Sequence, residues 1–287
     1  MIPAAFDYVA PATLNEAVGL LTQHQDDAKI LAGGHSLIPA MKLRLAQPAL
    51  LIDIGRIKDL AYINEDDRQI RIGAMTTHYE IESSARLKEI CPLLPECAVS
   101  IGDVQVRNKG TIGGSIAHAD PSADWPAAIL ALDAEMIAVS AQGERTIRAA
   151  DFFVDMLTTA LEPNEILREI RIAQPKGRTG QAYVKVAQPA SGFAVVGVAV
   201  SLTRGDDGRC QSASVGITGV SAKAYRAGGV ENVLTGSTLD EQAIAAAAAH
   251  AADNVDANAD LYASAEYRRH LAQVHTRRAI QQAIAKL

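Results

Sequence analysis

Cysteine is scarce in this chain. Only Cys91, Cys97 and Cys210 occur, they cannot all pair, and none belongs to a Cys-x-x-Cys pair or to a Cys/His cluster with zinc spacing. The chain is therefore expected to hold no iron–sulfur cluster and no metal by itself, and the three read as reduced packing thiols of an intracellular protein. An excess of positive charge is also missing. Lys+Arg of 27 against Asp+Glu of 33 leaves a net charge of −6, so no chain-wide field attracts a nucleic-acid backbone or an anionic membrane. Nucleic acid is not an expected partner. Long apolar runs are absent too: the longest stretch without charge, between Lys185 and Arg204, contains Pro189, Gly192 and Gly197 and reads as a buried strand entered by a loop. No integral membrane segment is expected. The opening Met1–Asp7 lacks a basic region followed by an apolar stretch, which argues against a secretory signal. Neither Gly-x-Gly-x-x-Gly nor Gly-x4-Gly-Lys-Ser/Thr is present, which argues against a Rossmann dinucleotide site and a nucleoside triphosphatase.

What is there is the composition of a globular protein: 48% apolar, 21% charged and only 4% aromatic residues. At about 150 residues per domain, 287 residues suggest roughly two domains. No tandem repeat is visible. Thr13-Leu-Asn-Glu16 and Thr77-His-Tyr-Glu80 fit capping boxes at helix starts. Lys29–Leu31 and Leu50–Asp53 read as covered strands of a small α/β unit. Short strands follow at Ala61–Asn64 and Gln69–Gly73 around a Glu65–Arg68 turn, then a helix over Leu93–Ile101. Arg107–Ser115 is too rich in glycine for a helix and too apolar on its flanks for a free surface loop, and Trp125–Leu132 reads as a helix with Pro126 in its first turn. Glu135–Val139, Thr146–Arg148 and Ile166–Ile172 suggest further strands. Gln174–Gly180 reads as a linker, Gln181–Val186, Ala194–Leu202 and Cys210–Ile217 as an antiparallel meander, and Thr238 and Ser264 as caps of two closing helices, to about Ala252 and Lys286.

Two glycine pairs, Gly33-Gly34 and Gly113-Gly114, each follow a short apolar run and carry small hydroxyl neighbours: Ser36 for the first, Thr111 and Ser115 for the second. Glycine lets backbone approach a ligand closely, and successive N–H groups form a concave anion site suited to a pyrophosphate. A lone Gly-Gly is equally the mark of a tight turn.

Taken together the residues resemble a known family. Ala32, Gly33, Gly34, His35 and Ser36 resemble the first FAD-binding loop of the flavoprotein subunits of molybdenum hydroxylases. Thr111, Ile112, Gly113, Gly114 and Ser115, continued by Asp120-Pro-Ser-Ala-Asp124, resemble the second. The likeness is nearest the aerobic carbon monoxide dehydrogenase subgroup and extends over nearly the whole chain, including Glu165–Ile172, Tyr183-Val-Lys185 and Ala194–Val200. It implies an α+β chain: a two-lobed FAD-binding domain of the vanillyl-alcohol oxidase or para-cresol methylhydroxylase (PCMH) type over residues 1–176, with lobes of about 1–56 and 57–176. A small domain of three-stranded antiparallel sheet plus helical bundle would follow over 177–287.

By the same resemblance, the backbones of Ala32–Ser36 and Thr111–Ser115 would wrap the FAD pyrophosphate and ribose. Asp124 would accept hydrogen bonds from flavin hydroxyls, or else cap the Trp125 helix. Ile101 and Phe193 would flank the isoalloxazine, with ordinary core as the rival reading, and Lys185 would lie near the flavin or be a solvated strand lysine. Lys42 and Arg44 would face an iron–sulfur partner or simply solvent. His118 reads as structural or as flavin surroundings, and the other histidines, His78 and His275 among them, as polar helix positions without metal spacing. The implied activity is that of a cytoplasmic oxidoreductase subunit with non-covalent FAD, reaching the inner face of the membrane only through its acceptor. It would take electrons from the [2Fe-2S] clusters of a small subunit, downstream of a large subunit with the molybdenum cofactor, in a dimer of heterotrimers, and pass them to an external acceptor. Two departures stand out. Ser115 occupies a place where many relatives carry Asn or Asp, and Ala187-Gln188 a place where basic residues are common. The alternative is a self-contained PCMH-type flavin oxidase with the flavin attached at His35.

Overall fold

The computed structural model describes residues 1–66 and 68–287; Asp67, inside the predicted Glu65–Arg68 turn, lies outside the described residues. The first lobe holds three parallel strands, β1 (Asp7–Val9), β2 (Ala28–Leu31) and β3 (Leu50–Asp53), in the order β1–β3–β2. Parallel neighbours need crossovers, and helix Leu14–His24 makes the first. The Thr13 hydroxyl caps it by accepting from Glu16 N–H at 3.2 Å, while the Glu16 carboxylate turns back to Ala12 N–H. The predicted capping box is therefore half formed. Ala17, Val18 and Leu21 on one face of the helix pack with Ile52, Ile54 and Ile57 into a small core.

In the second lobe, β4 (Ile63–Glu65), β5 (Gln69–Gly73), β6 (Glu135–Ser140) and β7 (Gly143–Arg148) precede a small hairpin, β8 (Phe153–Asp155) and β9 (Thr158–Thr159). With β10 (Ile166–Ala173) the first four form an antiparallel sheet in the order β4–β5–β10–β6–β7. Ile70, Ile72, Met136, Ala138 and Ile170 belong to the largest core with helices Leu93–Val99, Ile112–His118 and Trp125–Ala131.

The Ile112–His118 helix corrects the sequence expectation that this glycine-rich stretch is not helical. Thr111 caps it by accepting from Gly114 N–H at 3.1 Å. A Cβ on Gly113 would meet the Ala74 Cβ at 2.4 Å. Close packing of backbone on backbone outweighs the weak helix propensity of glycine.

The C-terminal sheet is an antiparallel meander of β11 (Arg178–Ala187), β12 (Ala194–Arg204), β13 (Cys210–Thr218) and a two-residue β14 (Tyr225–Arg226). This adds one short strand to the three expected. The Arg226 guanidinium, bonded to the Leu130 carbonyl, Ser214, Glu231 and Asp133, holds that fourth strand extended. β11 begins inside the predicted linker. The helix Ala265–Ile284, capped by Ser264, crosses β11 and β12. The alanine-rich helix runs only from Glu241 to Ala248 and is capped by Asp240, not Thr238, whose hydroxyl instead donates to the Asp240 carboxylate at 2.6 Å. No helix among the described residues is long and apolar enough to cross a membrane.

Sheet and second lobe are stitched through backbone. The Thr218 hydroxyl reaches the carbonyls of Pro121 and Ala123, Gly219 N–H also donates to Pro121 O, and Ala194 N–H to Ser122 O. A Cβ on Gly216 would lie 2.1 Å from the Ala127 carbonyl oxygen, so the helix sits directly on bare strand backbone. Gly216→Ala is expected to lower stability by about 1–3 kcal/mol, the typical cost of overpacking. A urea melt of the purified chain measures this, and a midpoint equal to wild type would show that helix and strand part freely.

Candidate functional site

The two lobes and the turn between β11 and β12 enclose a cavity of about 650 Å³. That is the size range of small-molecule and cofactor sites. The two glycine loops, 80 residues apart in sequence, meet at its edge. A Cβ on Gly33 would lie 2.3 Å from the Lys109 carbonyl oxygen, and one on Gly114 would lie 3.4 Å from the Ala32 Cβ. The second loop is held in place by an antiparallel run in which Gly113 N–H donates to Ala74 O, Ile112 N–H to Thr76 O and His78 N–H to Gly110 O. On the far side, Gly192 packs on Gly102 and carries Phe193 to the mouth.

The loops differ in what they offer. Among the described residues, the backbone N–H groups of Gly33, Gly34, His35 and Ser36 have no protein acceptor, and all four residues line the cavity. Gly34, at φ +74°, bends the loop in a left-handed conformation that glycine adopts without strain. Unpaired backbone donors facing a cavity are a polar demand that a ligand can meet. In the second loop, by contrast, the N–H groups of Ile112, Gly113, Gly114 and Ser115 are all taken by protein oxygens. That loop supplies shape, and the hydroxyl residues Thr111 and Ser115 line the cavity beside it.

Of the sequence-selected residues, Ala32, Gly33, Gly34, His35, Ser36, Ile101, Thr111, Gly113, Gly114, Ser115, Asp124 and Phe193 all line this one cavity, as does His118. Ile112 does not: its side chain is fully buried in the large core. Lys185 does not reach the lining either. Its ammonium is buried, donating to Asp124 Oδ2 at 2.8 Å and to the Ser100 carbonyl at 2.8 Å, which corrects the reading of a solvated strand lysine. Asp124 makes no side-chain cap to the Trp125 helix, which corrects that alternative. Its other oxygen accepts from the Tyr183 hydroxyl at 2.5 Å. Burial pushes the Asp124 carboxyl up from the ordinary carboxylate range, while Lys185 and Tyr183 pull it back.

Sequence reasoning passed over His78, which opens the helix His78–Ser83 and is only 4% exposed. Its Nδ1 accepts from the indole N–H of Trp125 at 3.1 Å, and its ring lines the cavity. Burial, with smaller contributions from His35 and Arg107, lowers its pKa from 6.5 to about 4, so it is neutral at pH 7. The signal for it lay in long-range pairing with the single tryptophan, which no local pattern exposes. No group of three or more His, Cys, Asp or Glu among the described residues is placed to hold a metal ion.

Two outcomes follow from these placements. Because the folded pKa of His78 lies below its unfolded value, the unfolded chain takes up its proton first. Stability is complete above about pH 6.5 and declines by roughly 3 kcal/mol as pH falls to about 4. Melts across this range should show a shallower decline in His78→Gln than in wild type, and equal slopes would assign the pH dependence to other groups. Asp124→Ala strands the buried Lys185 charge and should destabilise the cofactor-free chain by about 3 kcal/mol. Adding Lys185→Met should restore much of that loss; a double variant no better than Asp124→Ala would break the link between the two.

Comparison with known proteins gives this site its setting. Residues 4–175 match the family described as FAD binding domain in molybdopterin dehydrogenase, and residues 181–283 match the CO dehydrogenase flavoprotein C-terminal domain. The chain is 41% identical over 286 residues to the carbon monoxide dehydrogenase medium chain of Hydrogenophaga pseudoflava, covering 100% of this chain and 99% of the relative. It is 37% identical over 284 residues to the 6-hydroxypseudooxynicotine dehydrogenase complex subunit alpha of Paenarthrobacter nicotinovorans, covering 99% and 96%. Among solved structures, the carbon monoxide dehydrogenase from Hydrogenophaga pseudoflava lacking the Mo-pyranopterin moiety of the molybdenum cofactor superposes with a TM-score of 0.96 at 42% identity, covering 100% of this chain and 99% of that one. Two matched domains in order, over a cavity edged by both glycine loops, lead to one conclusion: the chain belongs to the FAD-binding flavoprotein subunits of the molybdopterin dehydrogenases.

Proposed function

We propose that this chain is the electron-exit subunit of a molybdenum hydroxylase of the carbon monoxide dehydrogenase type. In this reading it receives electrons from the [2Fe-2S] clusters of a small partner subunit, which drains a large subunit carrying the molybdenum cofactor, and delivers them to an external acceptor. A dimer of heterotrimers is the assembly this implies. The observation that carries the cofactor assignment is the row of four unpaired N–H groups from Gly33 to Ser36, facing a cavity of about 650 Å³ with two abutting glycine loops at its edge.

These residues fit FAD. The N–H groups of Gly33–Ser36 would hold the diphosphate, because a concave run of backbone donors matches an anion without needing a cation. Thr111 and Ser115 would serve neighbouring hydroxyls. Ile101, half-buried, and Phe193, 44% exposed at the mouth, would shield the ring from water. The Asp124–Lys185–Tyr183 group, anchored on the Ser100 carbonyl, would keep this part of the cavity wall rigid and charge-balanced. FAD, when bound, supplies the ability to accept electrons from one partner and release them to another. The protein's share is geometry, access and water exclusion. The exposed Lys42–Leu45 stretch, with Leu43 53% exposed between the two cations and Leu45 80% exposed after them, follows cavity-lining Ala40 and would be the surface that meets the iron–sulfur partner.

The test is the absorption spectrum of the chain purified with its neighbouring subunits or reconstituted with FAD, followed by acid precipitation. Flavin in the supernatant is the expected result. Flavin held in the pellet would point instead to attachment at His35 and a self-contained oxidase, and no flavin under either condition would sink both readings. Gly33→Val, which drives side-chain carbons into the Lys109 carbonyl, should leave a folded chain that no longer retains flavin.

A further inference from the structure

His78 carries a polar atom that the fold leaves unused. Its backbone N–H is given to the Gly110 carbonyl, and its Nδ1 accepts from the Trp125 indole N–H at 3.1 Å. Indole nitrogen only donates, so Nδ1 must keep its lone pair and the ring proton must sit on Nε2. Among the described residues that Nε2–H has no acceptor, although the side chain is buried to 4% exposure. That nitrogen is not among the fully enclosed unpartnered polar atoms, so it opens to the cavity and a bound molecule can reach it. The ring lines the cavity, and Nε2 lies at the place where the two loops touch. A Cβ on Gly110 would come within 2.7 Å of Nε2, while Gly33 packs on the other side of the same Lys109–Gly110 backbone. The bare backbone of Gly110 therefore does two things, letting Gly33 approach and leaving Nε2 room beside it.

We infer that His78 is a cofactor-positioning residue whose Nε2–H donates to an acceptor oxygen of bound FAD beside the Gly33–Gly110 contact, with Trp125 fixing both the tautomer and the aim of the ring. The inference rests on the cavity being the FAD site. It adds a side-chain donor to a run of backbone donors, on a helix whose start is locked by a complete capping box between Thr77 and Glu80. A neutral donor suits the place. It orients an oxygen without adding a charge beside His35 and Arg107, which already influence the ring.

The experiment is a titration of the cofactor-free full-length chain with FAD, followed by flavin fluorescence and by the nitrogen and proton resonances of selectively labelled histidine. The His78 signals are assigned by their loss in His78→Gln. In wild type the ring should carry its proton on Nε2 before and after binding, and FAD should move that proton downfield and slow its exchange with water. His78→Phe should weaken FAD binding roughly tenfold, the effect of one lost hydrogen bond, whereas His78→Gln, which retains an N–H donor, should stay within about threefold. Trp125→Phe, which releases Nδ1, should yield a mixture of ring tautomers. The inference is overturned if wild type binds FAD while the Nε2 proton is unmoved, or if a folded His78→Phe binds FAD as tightly as wild type. Should His78→Phe fail to fold, the wild-type resonance decides by itself. Failure of wild type to bind FAD at all would instead bring down the cofactor reading, and this inference with it.

Discussion

A buried carboxylate, Asp124, is the point on which the arrangement of the domains depends. Removing a charged oxygen pair from water is expensive, and only a close counter-ion together with further hydrogen bonds makes it tolerable. Lys185 and Tyr183, both on β11, supply these, and Lys185 also reaches the carbonyl at the C-terminal end of the Leu93–Val99 helix. Such an interaction has little tolerance for displacement, since moving either partner leaves an unpaired charge in a dry place. The turn leading to Asp124 is accordingly held from outside, by Thr218, Gly219 and Ala194 on its carbonyls at Pro121, Ser122 and Ala123. The turn between β11 and β12 thus lies in the wall of the cavity, while the sheet behind it builds a separate core and holds Asp124 in place.

The same economy governs the other wall. Gly33 packs on the bare Lys109–Gly110 backbone, and Gly113 packs on the backbone and Cβ of Ala74. The first contact joins the two lobes and the second holds the Thr111–Ser115 loop, so that one loop presents free donors while the other is fully bonded within the protein. A symmetric pair of loops would leave eight or more donors to be satisfied. The observed division leaves four facing the cavity, with the His78 ring beside them. The cavity is also asymmetric in exposure, closed around Thr111 and Asp124 and open at Phe193.

Much of the scaffold was legible from local pattern. The capping residues Thr13, Thr77 and Ser264 stand at helix starts because a side-chain oxygen satisfying an N–H three residues on is a short-range event. The strands around Gln69–Gly73, Glu135–Ser140 and Ala194–Arg204 follow from apolar runs bounded by turn formers. Where the reading failed, a distant contact had overridden a local preference. The Gly113-Gly114 pair lies inside a helix because Ala74 packs against it, and Asp124 is not a cap because Lys185 and Tyr183, about 60 residues away, compete for it successfully.

The sequence by itself determined the class of the fold, the order of its main strands and the two glycine loops, because each of these is written in short-range pattern or in motifs that occur in a characteristic order. Tertiary structure alone decided which loop keeps its N–H groups free, that Lys185 is buried and paired, that Ile112 faces the core, and that His78 is a neutral donor aimed by Trp125. These depend on desolvation and on hydrogen bonds between residues 47 to 61 positions apart or across separate loops, and neither is fixed until the chain has closed around them.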